Sequence, residues 1–181
     1  YLDVRVTERR LTYNADSSRV AIALQLDEGP RTVVRDFAVK GVSVYSDSVI
    51  AHHLRLAEGR PFRQRDLLRD RSRLQALYAE DGRIDTRILY EAIVDSAAAA
   101  RVHFVIEEGQ PVRLANVRLE GLQKTRPYVV LREVTMTQGA VLRHSELLNT
   151  QTAVFSTGLF RSVLVRPDVD STGAETRDVT I

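Results

Sequence analysis

The chain has 181 residues, 44% hydrophobic and 28% charged, with a formal net charge of only +2 and no cysteine. This is ordinary globular composition; it excludes disulfides, thiolate metal sites and cysteine nucleophiles, and it lacks the strong basic excess common in nucleic-acid binders. No apolar run approaches the ~20 residues that cross a bilayer as a helix.

The sequence opens without Met, inside a strand-like pattern and with no visible signal peptide, so it reads as a piece of a longer protein. Two alternating runs at about 2–13 and 19–27, joined by "NADSS", predict a β-hairpin. Val33, Val34, Phe37 and Val39 predict a short strand that leads to Gly41. Ser46 then stands as the N-cap of a brief helix with Asp47 in its first turn, which stops at "AEGRPF" around Gly59. A second helix carries Leu67, Leu74, Leu77 and Tyr78 on one face and ends at Gly82. Alternating strands at about 84–94 and 101–107 close the unit, joined by "DSAAAA".

The series then starts again. Shifted by 80 residues, Glu28-Gly29 meets Glu108-Gly109, Gly41 meets Gly121, Gly59 meets Gly139, and Leu67-Leu68 meets Leu147-Leu148. The second copy is shorter by about four residues, so Tyr78 to Gly82 answers to Phe155 to Gly158. Its first strand carries Val112, Leu114, Val117 and Leu119. Its first helix has Thr125 as N-cap and Pro127 in the first turn, where a missing N–H costs nothing. Its second helix carries Leu147, Leu148, Val154 and Phe155. The repeat divides the chain into a hairpin fragment at 1–30, a complete unit at 31–110 and a nearly complete unit at 111–181.

Each unit is α+β in the order β-α-α-β-β. The three strands are expected to form one mixed sheet with both helices on one face. The first strand joins through the helical crossover. The last strand is the most apolar (Val102, Phe104, Ile106) and belongs in the centre, which leaves an outer strand exposed. The eight glycines Gly29, Gly41, Gly59, Gly82, Gly109, Gly121, Gly139 and Gly158 punctuate the repeat. Gly41 and Gly121 are expected either to take a positive φ or to admit a close backbone neighbour. Each Glu-Gly pair is read as a short joint between units.

These landmarks resemble tandem POTRA (polypeptide-transport-associated) domains. The resemblance rests on the Glu-Gly start of each first strand, "EGRPF" before the second helix, and "LYAEDGRI" or "FSTGLFRSV" from helix into strand. It departs at Arg83-Ile84, where the family usually has an aromatic after Gly. Such units are similar to the periplasmic arms of the Omp85 superfamily of outer-membrane proteins. The resemblance implies Gram-negative-type bacteria, a membrane β-barrel C-terminal to this piece, accessory assembly subunits, and docking of unfolded outer-membrane or secreted chains. It implies no catalysis, cofactor or metal. A two-partner secretion transporter is the alternative within the family.

An exposed strand edge can pair with any extended chain, because main-chain hydrogen bonds ignore side-chain identity. The candidate edges are Asp85, Thr86, Arg87, Ile88 and Leu89 in the complete unit, and Arg161, Ser162, Val163 and Leu164 in the next. Charges such as Asp85 and Arg87 can also protect an edge. His52 and His53 diverge by about 100° on a helix and cannot chelate together. The acids of "DEG" and "EEG" lack EF-hand spacing. Arg60, Arg63, Arg65, Arg69, Arg71 and Arg73, interrupted by Asp66 and Asp70, read as a solvated helix face. The KH domain, an RNA-binding module, shares the β-α-α-β-β order, but it needs a GXXG loop between its helices. Neither "AEGRPF" nor "TQGAVL" supplies one, so no nucleic-acid partner is expected, and a KH-like nucleic-acid-binding tandem module stands as the alternative outside the family.

Overall fold

The computed structural model describes residues 4–16, 18–169 and 174–181. The N-terminal strands β1 (Arg5–Tyr13) and β2 (Val20–Asp27) form a two-stranded antiparallel sheet of their own. Every residue of both strands is exposed, including Val6, Leu11, Ile22, Leu24 and Leu26. An isolated hairpin buries too little apolar surface to be stable by itself.

The first full unit runs β3 (Val33–Lys40), α1 (Asp47–His53), α2 (Gln64–Glu80), β4 (Arg87–Val94) and β5 (Ala99–Glu107). Its sheet order is β3-β5-β4, with β3 parallel and β4 antiparallel to the central β5. The second unit repeats this with β6 (Arg113–Arg118), α3 (Pro127–Leu131), α4 (His144–Ser156), β7 (Arg166–Pro167) and β8 (Thr176–Thr180), in order β6-β8-β7. The mixed α+β architecture expected from the sequence is therefore present, and the last strand of each unit is central. Three separate sheets, rather than one continuous sheet, run along the chain.

Burial alternates strictly along β5: Ala100, Val102, Phe104 and Ile106 are buried, and the residues between them are not. The buried set meets Ile50 of α1 and Leu67, Leu74 and Tyr78 of α2, so both helices cover one face. The second core gathers Leu114, Leu142, Leu147 and Val179.

The repeat extends to individual hydrogen bonds. Val34 N–H donates to Arg60 C=O (2.9 Å), Gly59 N–H to Val34 C=O (2.8 Å), and Phe62 N–H to Thr32 C=O (3.0 Å). Eighty residues on, Leu114 donates to Ala140 (2.9 Å), Gly139 to Leu114 (2.8 Å), and Leu142 to Val112 (2.9 Å). In each unit the loop between the helices thus folds back along the outer edge of the first strand and covers its start. Inside this loop a buried side chain of the second helix holds the backbone. Asp70 accepts from Arg55 N–H and Leu56 N–H (both 2.8 Å), and its counterpart Thr150 accepts from Thr135 N–H (3.2 Å).

Three local expectations change. The N-cap of α3 is Arg126 rather than Thr125, with Pro127 at the first helical position. Ser46 is the N-cap of α1, but its hydroxyl pairs with that of Ser48 (2.9 Å) instead of capping the backbone. In α4 the buried residues are Leu147, Thr150 and Val154, while Leu148 and Phe155 are exposed. Helix α4 has 13 residues against 17 in α2, about one turn fewer. Val154 takes the place of Leu74, and the place of Tyr78 falls on Gly158 beyond the helix.

Gly41 shows why the unit needs glycine where β3 ends. Its φ is +83°, and a Cβ there would lie 2.1 Å from the carbonyl oxygen of Ile106. Gly121 shares the conformation (φ +74°), with open space where its Cβ would be. Gly29, Gly59, Gly82, Gly139 and Gly158 also have positive φ, whereas Gly109 does not.

Candidate peptide-docking edge

Strand β4 is the outer strand opposite β3. Its pairing to β5 runs in unbroken register from Arg87↔Glu107 to Val94↔Ala100. The first part of its free side is occupied. Gln75 Nε2 donates to Thr86 C=O (2.8 Å), and Arg71 Nε donates to Ile88 C=O (3.1 Å). These two side chains, four residues apart on α2, share one helix face. Arg71 also lies over the ring of Tyr90, with its guanidinium carbon 5.9 Å from the ring centre.

In an antiparallel edge strand, alternate residues turn both N–H and C=O outward. Since Ile88 turns outward, the next outward groups are those of Tyr90, Ala92 and Val94. Leu89, Tyr90, Ile93 and Val94 are all exposed. Leu89 adds to Val105, its exposed cross-strand partner, on the sheet face away from the helices.

The nine candidate edge residues therefore separate. Asp85 and Thr86 precede β4 in a turn. Asp85 pairs with Arg177, and Thr86 is buried, with its Oγ accepting Gly109 N–H (3.1 Å). Arg87, Ile88 and Leu89 lie in β4, but Ile88 is buried and its carbonyl is taken by Arg71. Arg161, Ser162, Val163 and Leu164 form no strand; β7 is only Arg166–Pro167. Val163 instead packs on the second core. Sequence reasoning missed Arg71 and Gln75, which take the carbonyls of Ile88 and Thr86. Their i, i+4 spacing was a visible signal, but its target, a strand carbonyl, was not.

A polar anchor stabilises the base of this unit. The Glu108 carboxylate accepts from Ser43 N–H (3.0 Å), Val44 N–H (3.1 Å), the Ser43 hydroxyl and the Tyr78 hydroxyl (2.6 Å). Burial pushes this carboxyl up, but the hydrogen bonds from Ser43, Tyr78 and Val44 outweigh it and bring it down to about 2. Tyr45 lies edge-on against Tyr78 (5.0 Å between ring centres) and hydrogen-bonds Asp81. Burial first, and the neighbouring carboxylate second, push each phenol well above its ordinary range. The Glu of the Glu-Gly punctuation is thus a tie between β5, the turn after β3 and the last turns of α2, as well as a strand end.

Residues 32–109 match the POTRA family model, described as "Surface antigen variable number repeat", and this unit is a POTRA domain. The fold of the described chain matches a crystal structure of Haemophilus influenzae BamA POTRA3-5 with a TM-score of 0.75. That match has 18% identity and covers 99% of this chain and 72% of the other. It also matches BamA from Haemophilus ducreyi lacking POTRA domains 1-3, with a TM-score of 0.64 and 14% identity, covering 83% of this chain and 28% of that one. A Treponema pallidum protein named "Putative outer membrane protein assembly factor" is 24% identical; the match covers 78% of this chain but only 18% of that protein's length. Among the described residues no helix is long and apolar enough to cross a membrane.

Proposed function

We propose that this chain is part of the periplasmic POTRA arm of an Omp85-type outer-membrane protein. Residues 1–30 are then the closing hairpin of a preceding repeat, 31–110 a complete repeat and 111–181 a nearly complete one. The arm stands before a membrane β-barrel of the same protein and receives unfolded outer-membrane precursors together with accessory assembly subunits. The POTRA match, the relative's name and the BamA-like fold support this reading.

The docking step is β-strand addition to the free edge of β4 at Tyr90, Ala92 and Val94. The observation that carries it is the division of that edge: Gln75 and Arg71 occupy its start, and the following stretch is exposed and apolar. Main-chain bonds supply affinity without sequence preference, and the exposed apolar side chains favour alternating strands of the kind that build outer-membrane barrels. Binding is weak, because an unfolded segment is ordered on docking.

The test is a titration of a barrel-strand peptide into the protein, followed by NMR shifts along residues 88–94. A control peptide carries N-methyl groups at the positions that face the edge. Strand addition predicts that methylation abolishes the shifts and that salt changes them little. Equal binding by the methylated peptide overturns the reading. An oligonucleotide that binds with strong salt dependence would instead indicate phosphate contacts.

A further inference from the structure

The sheet of the first unit has a second edge. In the order β3-β5-β4, β3 is the outer strand opposite β4, and the loop between the helices covers only its start, where Val34 bonds Arg60 and Gly59. Val33 N–H donates inward to Ala98 C=O (3.1 Å), so Val34 turns outward. The bulge between Val34 and Asp36 then shifts the alternation by one residue. Asp36, Ala38 and Lys40 turn toward β5, and Phe37 and Val39 turn their N–H and C=O outward. Among the described residues no group beyond the sheet bonds the backbone of either. Such a row of unpaired groups accepts an extended chain.

Beside this edge lies an open groove of about 440 Å³ between β3 and α1. Its floor is apolar: the half-buried Phe37, Val39, Val42 and Leu54 and the buried Ile50. A strand added to β3 would place every second side chain in it. Arg55 and Arg60 flank the groove, both exposed and, among the described residues, without an ion pair, although Glu58 stands in the same loop. Asp47 is the acid on the lining, and the length of α1, about 10 Å, separates it from the two arginines. The fold does not require these arginines. Their counterparts 80 residues on are Thr135 and Ala140, and Ala140 C=O still accepts from Leu114 N–H (2.9 Å) as Arg60 C=O accepts from Val34 N–H.

We infer that the β3 edge and its groove bind an extended apolar segment with an acidic flank, contributed by an accessory assembly subunit. The inference rests on the reading of the chain as an assembly arm and adds a site to it. Free main-chain groups at Phe37 and Val39 hold the segment, the groove takes its alternate apolar side chains, and Arg55 and Arg60 take its carboxylates. A receptor for many precursors needs an edge indifferent to sequence, as the apolar stretch of β4 is. The arginines make β3 selective, which suits one constant partner.

The probes are two synthetic peptides with one alternating Val-Thr core, followed by Asp-Asp in the first and Asn-Asn in the second. Each is titrated into the chain and followed by amide NMR shifts. The acidic peptide is expected to shift Phe37, Val39 and Leu54, and the Asn form to bind about fivefold more weakly, the scale of one or two exposed ion pairs. Arg55→Thr with Arg60→Ala, which copies the second unit, is expected to bring the two affinities together. Equal affinities in the parent chain overturn the inference, as does an unchanged preference in the variant. If the variant fails to fold, the two peptides on the parent chain decide. Acidic-peptide shifts confined to residues 88–94 overturn it but leave docking at β4 standing. Failure of the barrel-strand peptide at 88–94, with the acidic peptide bound at β3, removes only the β4 reading. Equal shifts at Phe37 and Val39 from a barrel-strand peptide without an acidic flank assign the edge to precursors and overturn the inference. Phosphatidylglycerol vesicles that shift these residues, while the acidic peptide does not, assign it to a membrane surface and overturn it too.

Discussion

Tyr78 donates its hydroxyl to the Glu108 carboxylate at 2.6 Å, joining the last turns of α2 to the end of β5. Tyr78 is fully buried, so its ring is core and its hydroxyl is a designated donor. The Tyr78→Phe variant keeps the ring and removes one charge-assisted hydrogen bond. A loss of about 1–2 kcal/mol is expected, since bonds to charged groups are worth about 1.5–3 kcal/mol and three other donors remain on Glu108. Chemical denaturation of Tyr78→Phe checks this; a midpoint equal to that of the parent contradicts it.

The same carboxylate sets an acid response. Its value in the folded chain, about 2, lies below the ordinary 4.5. A depressed carboxylate stabilises the fold fully above its unfolded value, and the contribution is lost as pH falls toward the folded one. Stability should therefore decline from about pH 4.5 down to about pH 2 through this group. In Glu108→Gln that part of the slope should be absent. Thermal melts of the two proteins across this window provide the comparison, and parallel pH profiles would contradict the assignment.

Asp70 and Thr150 hold the same loop in their two units, by two bonds in one case and by one backbone bond in the other. Asp70→Ala leaves two backbone N–H groups without their acceptor beside a fully buried site. A loss of about 2–4 kcal/mol is expected, against about 1–2 kcal/mol for Thr150→Val. Differential hydrogen exchange at Leu56 and Thr135 locates each effect: Asp70→Ala should expose the first and leave the second protected.

Gly41 and Gly121 share a left-handed backbone but differ in space. Gly121→Ala meets only the conformational cost, about 1–2 kcal/mol. Gly41→Ala meets that cost and a collision with the Ile106 carbonyl, so β3 or β5 must shift. The melting temperature of Gly41→Ala is expected to fall further than that of Gly121→Ala. The reverse order would count against the close approach.

The repeat was legible without coordinates because its punctuation is backbone chemistry. Glycines recur where φ is positive, and apolar alternation marks β5 as the strand buried on one face. These signals depend on local conformation and burial pattern, which residue types report directly. The spacing of 80 even held for individual loop hydrogen bonds. The one slip in the alignment came at the end of α4, where Phe155 suits a helix face by type but stands in the place of Gln75, one residue past the buried Val154, and is exposed.

What tertiary structure alone decided is which polar groups meet. Nothing local to Glu80 or Asp85 indicates Ser145 or Arg177, more than 60 residues away, because an acid at a helix end or in a turn reads as surface. The availability of the β4 edge was likewise set by Arg71 and Gln75 reaching across from α2. Local sequence limits each residue's conformation and its tendency to be buried. The partner of a long polar side chain depends on the packing of distant elements, and here that packing both closes the first part of an edge and brings Glu80 to Ser145 and Asp85 to Arg177.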